Sequence, residues 1–205
     1  YQTSGNIAVS NDEALKFGEI GRVFNPENET YSKIIEFVNQ KNNANADIIE
    51  LRNLKGQIRQ KESLGATRFL GLPDHQVHFL NLPFYETGTI KKSPLSQTDI
   101  DLMIAKIEEI QPHQIFAAGD LADPHGTHKV CLDSLFMAIE QIKHQPFMND
   151  CWVWLYRGAW HEWEIHEIEM AVPMSPNQVL KKRTAIFYHQ SQKDGVMFQG
   201  DDSRE

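Results

Sequence analysis

The sequence predicts an α/β protein built on an open, mainly parallel sheet with helices on both faces. Short apolar runs alternate with longer segments of helical period along most of the chain. Strands separated by helices join in parallel, through right-handed crossovers. A chain of 205 residues can enclose one sizeable core, and no repeat, low-complexity tract or linker divides it. Residues 1–205 are therefore expected to form a single domain.

The elements follow in order. Ala46 to Leu51 (ADIIEL), Val77 to Leu82 (VHFLNL) and Gln114 to Gly119 (QIFAAG) are short apolar runs of strand character. Helical period marks YSKIIEFVNQ, IRQKESLGATRFLG, SQTDIDLMIAKIEEI and HKVCLDSLFMAIEQI. Ser96 with Asp99 three residues on forms a capping box at the start of the third of these. Towards the carboxyl end, Trp152 to Tyr156 and Ile165 to Val172 are aromatic and β-branched and are expected as strands. Ser175 followed by Pro176 opens a last helix, NQVLKKRTAIFYHQSQ. Ligands of such Rossmann-like folds gather beyond the carboxyl ends of the strands.

Composition excludes several function classes. Twenty basic residues stand against 28 acidic ones, a formal charge of -8, and the basic runs are only Lys91-Lys92 and Lys181-Lys182-Arg183. Nucleic acid is therefore not an expected partner, because phosphate binding needs a clustered basic surface. No apolar run approaches the roughly 20 residues that span a bilayer, so no membrane partner is expected. Cys131 and Cys151 are too few for a disulfide scaffold and are expected as buried free thiols, in keeping with a cytoplasmic location. GxGxxG, GxxxxGK[ST] and GxSxG are all missing. His161-Glu162 with His166 imitates a zinc-protease helix, but its spacing is one residue too long, and a strand there would put the two histidines on opposite faces.

The stretch Asp120 to Val130, DLADPHGTHKV, is where chemistry concentrates. If QIFAAG is a strand and HKVCLDSLFMAIEQI a helix, then Asp123, His125 and His128 occupy the turn at a strand's carboxyl end. One imidazole there can bind a divalent metal, and a second can donate a proton or steady an oxyanion. Spacing alone is equally consistent with two surface histidines beside a turn-forming Asp123.

DPHGTHKV resembles the second motif of the PIG-L or LmbE-like de-N-acetylases, commonly Asp-Pro-His-Pro-Asp-His. IRQKESLGATRFLGL resembles the family's Arg-x-x-Glu helix, VHFLNLPFYETG its next strand and loop, and KKRTAIFYHQSQ its closing Lys-x-x-Ala helix with a Ser-Gln. The chain looks most like a subgroup in which this module follows a glucosamine-6-phosphate deaminase domain. The resemblance implies a zinc-dependent hydrolase that removes an acetyl group from an N-acetylglucosaminyl substrate. It makes His128 a zinc ligand and His125 the group that protonates the amine or steadies the oxyanion, and it turns Arg59 towards the substrate. Beside these, Asp123 is expected as a catalytic residue next to His125, and Arg157 with Arg59 in the substrate cleft, where each arginine is equally consistent with an ordinary surface position.

The sequence departs from the family at two places. Gly126 and Thr127 replace the motif's second Pro and Asp, removing a carboxylate that could orient an imidazole. The family's His-Pro-Asp-Asp tetrad is missing, and YQTSGNIAV looks like the tail of the family's second strand. The chain is thus expected to be a fragment lacking the first strand and helix, binding zinc weakly or not at all by itself and pairing with itself through exposed sheet edges. Two other readings stand beside this one: a non-catalytic binding or regulatory module beside a deaminase domain, and a self-contained α/β protein with surface histidines.

Overall fold

The computed structural model describes residues 1–41, 45–119, 126–157 and 162–192. Among the described residues it contains six α-helices and one parallel two-stranded sheet. The chain divides into two compact units. The first comprises Tyr1–Asn81, Tyr85–Lys92 and Met174–Glu205, and the second Leu82–Phe84 and Ser93–Pro173.

In the first unit, α1 (Asn11–Phe24), α2 (Glu29–Gln40), α3 (Ile49–Leu70) and α6 (Pro176–Ile186) are each started by local chemistry or by burial. The Ser10 hydroxyl caps α1 by accepting from the Glu13 amide at 3.1 Å, and Asn28 caps α2 by accepting from the Thr30 amide at 3.0 Å. Ser175 and Gln178 form a capping box on α6, with Pro176 in the first turn, as the sequence predicts. Ala14, Ile34 and Leu51 are buried where α1, α2 and α3 meet, with Phe37, Val38, Ile48 and Leu54 packed around them.

A buried ionic group lies beside this core. The Lys55 ammonium donates to Asp47 at 2.8 Å and to the Asn11 side-chain oxygen at 2.8 Å, and Lys41 bonds the other Asp47 oxygen. Only 5% of the Lys55 side chain and 8% of that of Asp47 are exposed. Burial raises the Asp47 carboxyl's pKa, but the two lysines outweigh it and leave the group below its ordinary value. Burial depresses the Lys55 ammonium, against the pull of Asp47.

In the second unit, β1 (Gln114–Ala118) leads through α5 (Thr127–Ile142) to β2 (Trp152–Tyr156), a parallel pair in the register Gln114↔Trp152 to Ala118↔Tyr156. This βαβ connection is the part of the predicted architecture that the described residues contain. The helix α4 (Gln97–Ile110) packs on α5. The predicted Ser96–Asp99 capping box is present, and Asp99 also accepts from the Phe84 amide at 2.8 Å. Phe84 and Asp99 are completely buried.

Three predicted strands take other forms. Residues 46–51 contain the entry to α3, because a six-residue apolar run reads equally as the buried start of a helix. Residues 77–82 form no strand: the Tyr1 ammonium donates to the His78 carbonyl and the Tyr1 carbonyl accepts from the Leu80 amide, and Asn81 turns into the left-handed region at φ 48°. Residues 165–172 begin with a 3-10 turn at Ile165–Glu167, and Ile165 and Val172 are exposed, so the alternating pattern there buries no face. Neither cysteine is in a disulfide, and both are half-buried rather than buried.

Candidate functional site

The sequence-predicted residues fall on both units. On the second, β1 ends at Ala118 and is followed by Gly119, whose amide donates to the Tyr156 carbonyl at 2.8 Å. A Cβ at this position would lie 2.8 Å from Leu155 and 3.3 Å from Trp163, so only glycine allows β2 and the Trp163 ring to close over the strand end. Arg157 follows β2 directly. Its guanidinium stacks over Trp163 at 3.6 Å from the ring centre and donates through Nε to the Gly119 carbonyl at 3.3 Å. The carboxyl ends of both strands are thus tied together by one arginine.

His128 stands in the first turn of α5, exposed to solvent. The residue before this helix, Gly126, is in the left-handed region at φ 67° and offers no side-chain cap. Asp123 and His125 lie outside the described residues. Among the described residues no group of three His, Cys, Asp or Glu side chains is gathered to hold a metal ion. The described donors alone therefore do not make a catalytic zinc site, which needs about three protein ligands.

Arg59 belongs to the first unit, on α3, within a polar knot. Its Nη1 donates to Glu62 at 2.9 Å, approaches His189 Nδ1 at 3.4 Å and Ser191 Oγ at 3.5 Å. Glu62 in turn accepts from the Ser191 amide at 2.6 Å and from its hydroxyl at 2.7 Å. The Arg-x-x-Glu and Ser-Gln motifs, about 130 residues apart in sequence, therefore meet at a single carboxylate. Gly5, at φ 70°, permits this: a Cβ there would sit 3.1 Å from Arg59 Nε. Gln192 closes the same corner by donating to the Ala8 carbonyl at 3.1 Å.

An arginine nitrogen can only donate, so the contact with Arg59 requires His189 Nδ1 to be unprotonated and places the ring hydrogen on Nε2. Burial first, and then the charge of Arg59, hold His189 below its ordinary value, against the opposing pull of Glu62. A group whose folded pKa is depressed loses its contribution as the pH falls from the unfolded value of about 6.5 towards the folded one. Urea unfolding followed from pH 8 to pH 5 should therefore show a loss of stability beginning near 6.5 that His189→Gln removes. An unchanged acid slope in the variant would contradict the assignment.

No family profile matches the chain. No solved structure matches it either. A glucosamine-6-phosphate deaminase-like protein of Bacteroides thetaiotaomicron is 45% identical over 215 residues, a match that covers all of this chain and 32% of that protein. The chain thus spans about a third of the length of this curated relative.

Proposed function

We propose that the chain is part of an amino-sugar hydrolase, one that removes the acetyl group from an N-acetylglucosaminyl substrate with zinc as cofactor. The observation that carries this reading is the meeting of Arg59 and Glu62 with His189 and Ser191, because it joins two separate motifs of the de-N-acetylase resemblance in one knot. The name of the 45% identical relative supports the amino-sugar link. The βαβ unit supports the reading of an open Rossmann-like sheet, with residues 1–205 contributing to one such domain.

His128 contributes one zinc ligand from the start of α5, and the other ligands come from outside the described residues. Bound zinc supplies a water acidic enough to be ionised near neutral pH. The remaining roles belong to this chain's own groups. His125 delivers the proton to the departing amine. Asp123 is the second catalytic residue of this segment. Arg59 on the first unit and Arg157 on the second are each a candidate for the polar groups of the sugar; Arg59 is held by Glu62, and Arg157 by Trp163 and the Gly119 carbonyl. The protein acts in the cytoplasm, and copies associate through open sheet edges. Amine release from N-acetylglucosamine derivatives, measured with and without added zinc, tests the reading.

A second reading follows from the absence of a three-residue metal cluster among the described residues. In it the chain binds or regulates beside a deaminase domain without catalysing. Sugar binding without amine release by the whole protein that carries the chain would favour it.

A further inference from the structure

A cleft of about 430 Å³ opens in the first unit, between Ser4, α3 and the residues Phe79, Asn81 and Glu86. Its volume lies in the range of small-molecule sites, roughly 300–1,000 Å³. The wall presented by α3 carries Arg52, Asn53, Gln57 and Gln60, and Asn81 and Glu86 face it. Four of these are side-chain amides, which both donate and accept, as hydroxyl groups do.

Arg52 and Glu86 are each bound on one side and unmatched on the other. Arg52 Nη1 donates to the Glu86 carbonyl, and Glu86 Oε2 accepts from Asn6 Nδ2 at 2.7 Å. Arg52 Nε and Glu86 Oε1 are withdrawn from solvent and have no hydrogen-bond partner. A donor and an acceptor left unmatched in the wall of a cleft destabilise the empty form, and small rotations would turn both onto a polar ligand. Phe79 adds an apolar surface, its ring fixed by stacking on Tyr1 at 5.0 Å and 10°.

Gly56 indicates that the space is kept open. It sits inside a 22-residue helix, where alanine is the better helix former. A Cβ there would meet only Ser4, at an ordinary 3.6 Å. Packing does not require a glycine at this position, which lines the cleft.

We propose that this cleft binds an uncharged sugar ring, with Glu86 and Arg52 on neighbouring hydroxyls, the amides around the rim and Phe79 beneath the apolar face. The single arginine is offset by the single glutamate, so the lining has no net charge for a phosphate. Phosphate sites gather several basic side chains or backbone N–H groups. The inference rests on the amino-sugar reading only for the choice of probe.

The test is calorimetric titration of the full chain with N-acetylglucosamine and, separately, with glucosamine 6-phosphate. N-acetylglucosamine should bind, and more tightly than the phosphorylated sugar. Glu86→Gln should weaken it by about tenfold to a hundredfold, the loss expected for a hydrogen bond to a charged group. Gly56→Leu should abolish binding by filling the cleft, while its melting temperature stays at or above that of the wild type. Should Gly56→Leu misfold, Gly56→Ala keeps the helix intact and should still weaken binding. Preferred binding of the phosphorylated sugar, wild-type affinity in Glu86→Gln, or no binding of either sugar would overturn the proposal. Amine release that persists without binding in the cleft sinks this inference alone. Binding in the cleft, with no amine release by the protein that also carries a His-Pro-Asp-Asp segment, sinks the hydrolase reading alone.

Discussion

Asp47→Ala is expected to destabilise the first unit by about 3–5 kcal/mol, the cost of leaving a buried charge without its partner. Lys55 loses the carboxylate that holds its ammonium, and the 5% exposure of its side chain leaves water little access to replace it. Asn11 alone remains among the bonds described for that ammonium, and an amide oxygen cannot offset a full charge. Burial also holds the Lys55 pKa low, so part of the response will be loss of its proton. Lys55→Met in the Asp47→Ala background should recover much of the loss, because an apolar chain of similar length needs no partner. Urea denaturation of the single and double variants measures both values. A single variant within 1 kcal/mol of wild type would show that the group is solvated.

The same carboxylate gives the unit an acid limit. Its folded pKa is lowered, so its contribution is complete above the unfolded value of about 3.8 and is lost as the pH falls through the folded one.

Phe84→Ala should cost the second unit about 3–5 kcal/mol, as large-to-small changes at buried aromatics do. Phe84 is fully buried, and its backbone amide donates to Asp99, the capping-box acid of α4. A void at this side chain therefore loosens the group that starts α4, as well as removing apolar contacts. Phe84→Leu keeps most of the volume and should lose considerably less. Equal losses in the two variants would mean that the site collapses around either side chain.

Local signals in the sequence were readable where they are chemically self-contained. The Ser96–Asp99 box, the Ser175-Pro176 helix start and the strands Gln114–Ala118 and Trp152–Tyr156 need nothing beyond a few neighbouring residues. The helix α1 went unread because Gly18 and Gly21 weaken its helical signal, and their reason is tertiary. A Cβ at Gly21 would lie 2.4 Å from the Tyr31 ring of α2. Residues 165–172 misled in the opposite sense: their alternation is that of a half-buried strand, yet Ile165 and Val172 pack against no sheet.

At the candidate site the division is similar. Arg59 was identified from its own segment, and the motif carrying Ser191 from another, but nothing in either shows that they share Glu62. The Asp47–Lys55 group and the pairing of Arg52 with Glu86, which is 34 residues away, carry no motif. Only the packing of α3 against distant loops brings them together.

The central claim, that His128 and its neighbours serve a sugar hydrolase, is tested most directly by amine release from N-acetylglucosamine derivatives. The assay compares the 205-residue chain with the same chain extended to include a His-Pro-Asp-Asp segment. The extended protein should bind zinc and release amine, and His128→Ala should reduce that activity by roughly a hundredfold or more, since even the outer partners of a metal ligand cost 10–100-fold when removed. The 205-residue chain alone should bind zinc weakly or not at all and release none. An extended protein that releases no amine, or one that His128→Ala leaves unchanged, would contradict the account.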